Sequence, residues 1–119
     1  MKTILLVDDD ARFRGSLMMG LEDAGCRVWQ AKDGVEALAV LKEQHGEIHC
    51  LVADAKMPGL DGFWLADQVQ VGYPNIQVII LSAYPYPKDG PYRILQKPVP
   101  VRQLVDALDH QPIKVSGVE

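Results

Sequence analysis

Cysteine is scarce and scattered. Cys26 and Cys50 are the only two, with no CxxC pair and no metal-ligand spacing, so they read most simply as free, largely buried thiols in a reducing compartment. Long apolar runs are missing as well. None approaches the roughly 20 residues that a bilayer-spanning helix needs, and Met1-Lys2-Thr3 leads straight into a strand-like run without a signal-peptide cleavage pattern. A cytoplasmic protein without membrane contact is expected. The chain also lacks a basic stripe, and a net charge of -4 with a pI of about 5.3 argues against direct nucleic-acid binding. What remains is an ordinary globular composition, 48% apolar over 119 residues, enough for one core and one domain.

The chain turns on Leu51-Val52-Ala53-Asp54, a short apolar run that ends in a carboxylate and breaks into a loop punctuated by Pro58, Gly59 and Gly62. Such a run reads as a buried strand. In an open α/β sheet, side chains at the carboxyl end of a strand emerge into the crevice where ligands bind. Asp54 is therefore placed for chemistry, the plainer alternative being an acid that only caps its loop.

Taken in order, Ile4-Leu5-Leu6-Val7 is a second continuous apolar run, covered on both faces, and it stops at Asp8-Asp9-Asp10. Phe13, Leu17, Leu21 and Ala24 recur at helical spacing behind Asp10 as N-cap, with Gly25 as stop, which predicts a helix over 11–24. Arg27 to Ala31 reads as a strand. Asp33-Gly34 opens a helix whose buried side is marked by Val35, Leu38, Ala39 and Leu41, fraying at Gln44-His45-Gly46. His45 and His49 stand four apart, but Gly46 interrupts the helix and no third ligand is near, so both read as loop histidines.

Phe63, Leu65, Ala66 and Val69 predict a helix ended by Gly72 and Pro74, and Gln77 to Ser82 is a β-branched strand ending in a hydroxyl. Ala83 to Pro91 holds three prolines and a glycine and accommodates no regular helix. Tyr92 to Gln96 is the last strand, ending at Lys97-Pro98; Val101, Leu104, Val105 and Leu108 then give an amphipathic helix, and Gln111 to Glu119 reads as a loose tail. Strands alternating with helices imply one parallel sheet of five strands with crossover helices on both faces. Asp8, Asp9, Asp54, Ser82 and Lys97 then converge on a single edge.

Three carboxylates in one place repel each other, and a hard cation with oxygen ligands relieves the repulsion; an open site of this kind suits Mg²⁺. Lys97 adds a mobile point charge and Ser82 a hydroxyl. A carboxylate can attack phosphorus to give an aspartyl phosphate, a reaction that asks mainly for positioning and charge neutralisation.

With these motifs in order, the acidic pair Asp8-Asp9, Asp54 with Met57-Pro58-Gly59-Leu60-Asp61-Gly62, Ser82-Ala83 and Lys97-Pro98, the sequence from Ile4 to about Leu108 resembles a two-component response-regulator receiver domain of the CheY-like, flavodoxin-like fold. The resemblance implies a receiver over 1–110 with a tail at 111–119. It implies Asp54 as phosphoacceptor; Asp8, Asp9, Asp54 and the carbonyl of Lys56 as Mg²⁺ ligands; Ser82 turning toward the phosphoryl oxygens; Lys97 pairing with the phosphoryl group; and a cis Lys97-Pro98 bond. The implied partner is a histidine kinase or histidine phosphotransfer protein. Beyond Mg²⁺-dependent self-phosphorylation and self-dephosphorylation no enzyme activity is implied.

The sequence departs from the receiver pattern in three places. Ser82 and Lys97 stand only 15 positions apart, so the fourth helix is expected to be shortened or absent, which bears on the surface receivers use to signal and dimerise. Ile94 occupies the position of the aromatic switch residue. An aliphatic chain has no ring to swing, so signalling is expected through ordering of the Tyr84 to Pro91 segment when Ser82 engages the phosphoryl group, with a static segment packed by Tyr84 and Tyr86 as the alternative. Lys56 and Tyr84 lie two residues beyond Asp54 and Ser82, flanking the path of the hydrolytic water in receivers, and predict a long-lived aspartyl phosphate.

The leading expectation is thus a stand-alone or N-terminal receiver accepting a phosphoryl group on Asp54. A phosphorylation-independent pseudo-receiver is the alternative, disfavoured by the retained site residues. A metal-dependent phosphatase with Asp54 as nucleophile is disfavoured because no acid stands two residues after it.

Overall fold

The computed structural model describes residues 2–86 and 90–109. Residues 87–89 of the proline-rich segment, the expected tail at 111–119 and the expected domain limit at 110 lie outside the described residues. Five strands, β1 (Thr3–Val7), β2 (Arg27–Ala31), β3 (Cys50–Asp54), β4 (Gln77–Ser82) and β5 (Arg93–Gln96), form one parallel sheet in the order β2-β1-β3-β4-β5. The helices are α1 (Ala11–Asp23), α2 (Gly34–Gln44), α3 (Gly62–Gly72) and α4 (Val101–Asp109).

The continuous apolar runs are buried because the sheet is covered on both sides. Successive residues of a strand face opposite ways, and β1 shows it: Leu5 and Val7 join Leu41 of α2 and Leu65 of α3, while Ile4 and Leu6 join Leu17 and Leu21 of α1 and Leu104 and Leu108 of α4. The starts of α1, α2 and α3 are each tied by an acid. Asp10 accepts from the amides of Arg12 and Phe13, Asp33 from that of Glu36 and Asp61 from that of Trp64, bonds worth about 1 kcal/mol each. At the other end of the chain, Lys2 Nζ and Gln77 Nε2 donate to the carbonyls of Leu108 and Ala107, closing the end of α4.

Between β4 and β5 no described residue is helical, so a sheet of five strands carries four helices, in keeping with the short interval from Ser82 to Lys97. The Tyr86 ring packs at a tilt of 58° against Phe63 with centroids 5.2 Å apart, which holds the start of the segment to α3.

Several local expectations need correction. Val35 does not lie on the buried side of α2: it is 68% exposed, Ala39 is exposed too, and the face turned to the sheet is Gly34, Ala37 and Leu41 with Leu38 beside it. Ala24 is an exposed C-cap rather than a core residue. Strand β5 begins at Arg93, opposite Ile79, and leaves Tyr92 outside. Cys50 is buried as expected, but Cys26 is only half-buried; both are free thiols. His45 Nδ1 lies 3.0 Å from the Leu41 carbonyl, and His49 Nδ1 accepts from the Thr3 amide at 2.9 Å, so each ring is engaged with a backbone group. Among the described residues no helix is long and apolar enough to cross a membrane.

Candidate functional site

Strand register brings the acids together. Val7 pairs with Ala53 across β1 and β3, so the residues that follow, Asp8 and Asp54, leave neighbouring strands at the same level. The strand order reverses direction at these two strands, the place where open α/β sheets bind ligands. Oxygens of Asp8, Asp9 and Asp54 all lie within 4.8 Å of one another.

Asp8 is almost fully buried, at 1% exposure, and every part of it is held. Its amide donates to the Ala31 carbonyl at 3.1 Å, its Oδ1 accepts from the Asp10 amide at 2.9 Å, and its carbonyl accepts from Arg14 Nη1 at 2.6 Å. Asp54 is half-buried and Asp9 exposed. The loop behind Asp54 is shaped by two glycines. Gly59 has φ of +78°, which favours glycine, and a Cβ on Gly62 would run into the carbonyl of Asp54.

Lys97 reaches the acids from β5. Its amide donates to the Ser82 carbonyl at 2.7 Å, the Lys97-Pro98 peptide is cis, and Nζ lies 3.1 Å from Asp8 Oδ2 and 3.2 Å from Asp54 Oδ1. Burial and the neighbouring Asp8 push the Asp54 carboxyl above its ordinary pKa, against the pull of Lys97. For Lys97, burial acts downward, but the hydrogen bond and charge of Asp8 and then Asp54 outweigh it, and the ammonium is held above its ordinary value. One ammonium among three carboxylates leaves negative charge uncompensated. The donors are all oxygens, a set that fits a hard divalent cation such as Mg²⁺.

Not every expected residue meets the cluster through its side chain. Ser82 is buried at the end of β4, and its hydroxyl is engaged by Tyr84. Lys56 is exposed, with its ammonium 5.4 Å from the centroid of the Tyr84 ring. Ile94 pairs with Ile80 and packs on the core beneath α2 and α3. Two residues were missed by the sequence reading. Phe13, assigned there only to the buried face of α1, also lies with its ring centroid 4.2 Å from Lys97 Nζ. Arg14 ties the Asp8 carbonyl to Gln30 Oε1, at 3.0 Å from Nε; an arginine one turn behind an acidic pair was the available signal.

A five-stranded parallel sheet of this order, with an acidic cluster at its switch point and a lysine across it, defines a receiver-type phosphoacceptor domain. The chain belongs to the response regulator receiver domain family, whose match covers residues 4–109. It is 34% identical over 109 residues to the sensor kinase CckA of Brucella abortus, covering 86% of this chain and 12% of that protein. To the sporulation initiation phosphotransferase F of Bacillus subtilis it is 33% identical over 81 residues, covering 68% of this chain and 64% of that one. The chain thus spans only part of the length of either relative. Among solved structures, the receiver domain of the hybrid histidine kinase CckA superposes with a TM-score of 0.79 at 30% identity, over 90% of this chain and 95% of that one. The chemotaxis protein CheY4 of Vibrio cholerae gives 0.80 at 30% identity, over 92% and 97%.

The chain is accordingly a receiver domain of two-component signalling.

Proposed function

We propose that Asp54 is the phosphoacceptor, that Asp8, Asp9 and Asp54, with the carbonyl of Lys56, hold Mg²⁺, and that Lys97 neutralises the arriving phosphoryl group. The observation that carries this reading is the position of Lys97, 3.1 Å from Asp8 and 3.2 Å from Asp54 within a cluster of carboxylates no more than 4.8 Å across. A cation so placed can follow charge from the carboxylates to a phosphoryl oxygen by moving only its own flexible stem.

In the proposed transfer an Asp54 oxygen bonds to the phosphorus of a phosphohistidine on a kinase or phosphotransfer protein. The N–P bond breaks, its electron pair stays with the departing imidazole, which takes up a proton from solvent, and an acyl phosphate remains. A Mg²⁺ held by Asp8, Asp9 and Asp54 would supply charge neutralisation for the transfer. Asp8 stays ordered throughout because its backbone and one carboxylate oxygen are held by Ala31, Asp10 and Arg14. The Ser82 hydroxyl exchanges its bond to the Tyr84 carbonyl for a phosphoryl oxygen, and Ile94 fills the space that shift opens. Self-phosphorylation from a small donor and self-dephosphorylation complete the proposed chemistry, which takes place in the cytoplasm.

Intact mass after incubation with a small phosphodonor and Mg²⁺ tests this. One added phosphoryl group is expected in the wild type, and none in Asp54→Asn or in the metal-free protein. An adduct on Asp54→Asn, or a folded wild type that gains no mass, overturns the assignment.

A further inference from the structure

We propose that Phe13 is a positioning residue for Lys97, its ring face holding the ammonium beside Asp8 and Asp54 where the phosphoryl group is to be received. The inference rests on the reading of Asp54 as phosphoacceptor. The ring centroid lies 4.2 Å from Lys97 Nζ, inside the roughly 6 Å over which a cation is attracted to the face of an aromatic ring. The Lys97 side chain is 21% exposed, so its ammonium has already lost much of its water, the condition under which this attraction is strongest.

Both partners are held at their roots. Phe13 sits in the first turn of α1, its amide donating to Asp10 Oδ1 at 3.1 Å, and its ring packs against the core formed by α1, α4 and one face of the sheet. The ring therefore cannot follow the lysine. Lys97 has its amide fixed to the Ser82 carbonyl at 2.7 Å, but its four-carbon stem is mobile. Asp8 and Asp54 alone are an insecure anchor for that stem, because the same two carboxylates are part of the oxygen set that fits a divalent cation.

Phe13 supplies a hold that is independent of the carboxylates and carries no charge. Another acid in this place would add to the repulsion among Asp8, Asp9 and Asp54, and another cation would compete for them. An aliphatic residue would fill the volume yet offer no negative face. The sequence reading assigned Phe13 to the buried side of α1, and packing alone accounts for that burial; it does not account for a lysine at the ring.

The test replaces Phe13 site-specifically with mono-, di- and trifluorophenylalanine, which keep the ring's shape while draining its face of negative potential. The rate of mass gain from a small phosphodonor is measured at saturating Mg²⁺, with melting curves to show equal folding. A stepwise fall, reaching about 3- to 10-fold at three fluorines, is expected. In parallel, the Lys97 Hε protons of the wild type should show an upfield ring-current shift by NMR that Phe13→Leu abolishes and Phe13→Trp retains. Equal rates across the fluorinated series, with the wild type phosphorylated on Asp54, overturn the role of Phe13 and leave the phosphoacceptor assignment standing. A wild type without the ring-current shift overturns it as well. If the wild type takes up no phosphoryl group at all, the assignment of Asp54 fails and this inference falls with it.

Discussion

Ser82 and Tyr84 close a small ring of hydrogen bonds: the Ser82 hydroxyl donates to the Tyr84 carbonyl at 2.7 Å and accepts from the Tyr84 amide at 3.0 Å. The hydroxyl is thus already satisfied in a place only 1% exposed. Turning the Ser82 hydroxyl toward a phosphoryl group breaks its bond to the Tyr84 carbonyl, which couples the site to the first residues of the proline-rich segment. Removing the hydroxyl leaves two backbone groups to find other partners, so Ser82→Ala should destabilise the fold by about 1 kcal/mol. Urea unfolding should show a lower midpoint at an unchanged slope.

Gly62 opens α3 directly against the backbone at the end of β3. Its amide donates to the Ala55 carbonyl at 3.0 Å, and a Cβ would collide with the backbone of Asp54. Backbone cannot yield as a side-chain tip can, so Gly62→Ala should cost about 2 kcal/mol and displace the Asp54 carboxylate. Urea unfolding reads the first effect. The second is read as a slower mass gain from a small phosphodonor at a temperature where the variant is still folded.

Lys56 and Tyr84 form an exposed pair 5.4 Å apart that spans the loops after β3 and β4. In the proposed mechanism the pair flanks the path of water to an acyl phosphate on Asp54. Lys56→Ala and Tyr84→Ala should each shorten the lifetime of the phosphorylated protein several-fold, while the rate of phosphorylation from a small donor changes little. Following the decay of the mass adduct after removing the donor checks this, and an unchanged decay in both variants counts against a shielding role.

Tyr92, just ahead of β5, is joined to Asp67 of α3 by a hydrogen bond from the phenol to the carboxylate. Burial first, then the bond and charge of Asp67, push the phenol up to about 12. The unfolded chain titrates near 10, so the folded state keeps its proton the longer. The stabilisation is therefore complete below pH of about 10 and is lost as pH climbs toward about 12. Tyr92→Phe should remove the late component from an ultraviolet titration of the four tyrosines, and should lose less stability than wild type over that pH range.

Much of the architecture is written in local signals. Ile4 to Val7, Cys50 to Asp54 and Gln77 to Ser82 announce strands because each is a short apolar run cut off by a polar residue, and Asp10, Asp33 and Asp61 are caps that work within a single turn. Order along the chain and the alternation of strand and helix then suffice to put Asp8, Asp9, Asp54 and Lys97 on one edge. The rotation of a helix is harder to read. Val35 fits the apolar stripe of α2 by spacing, yet it is 68% exposed, because a period of 3.6 is compatible with more than one phase and only the sheet decides which.

A receiver is already legible in the order of the residues: a parallel sheet, an acidic pair, a strand-end aspartate, a hydroxyl and a lysine, in the order that such a sheet brings together. Tertiary structure decided how those groups meet. That Lys97 rests against Phe13, that the Ser82 hydroxyl is engaged with Tyr84, that Arg14 holds the Asp8 carbonyl and that Tyr92 lies outside β5 all depend on register and helix rotation. The physical reason is range. Apolar patterns and caps act over a few neighbours along the chain, whereas a ring placed against an ammonium from the far end of the sheet is set by the packing of the whole core at once.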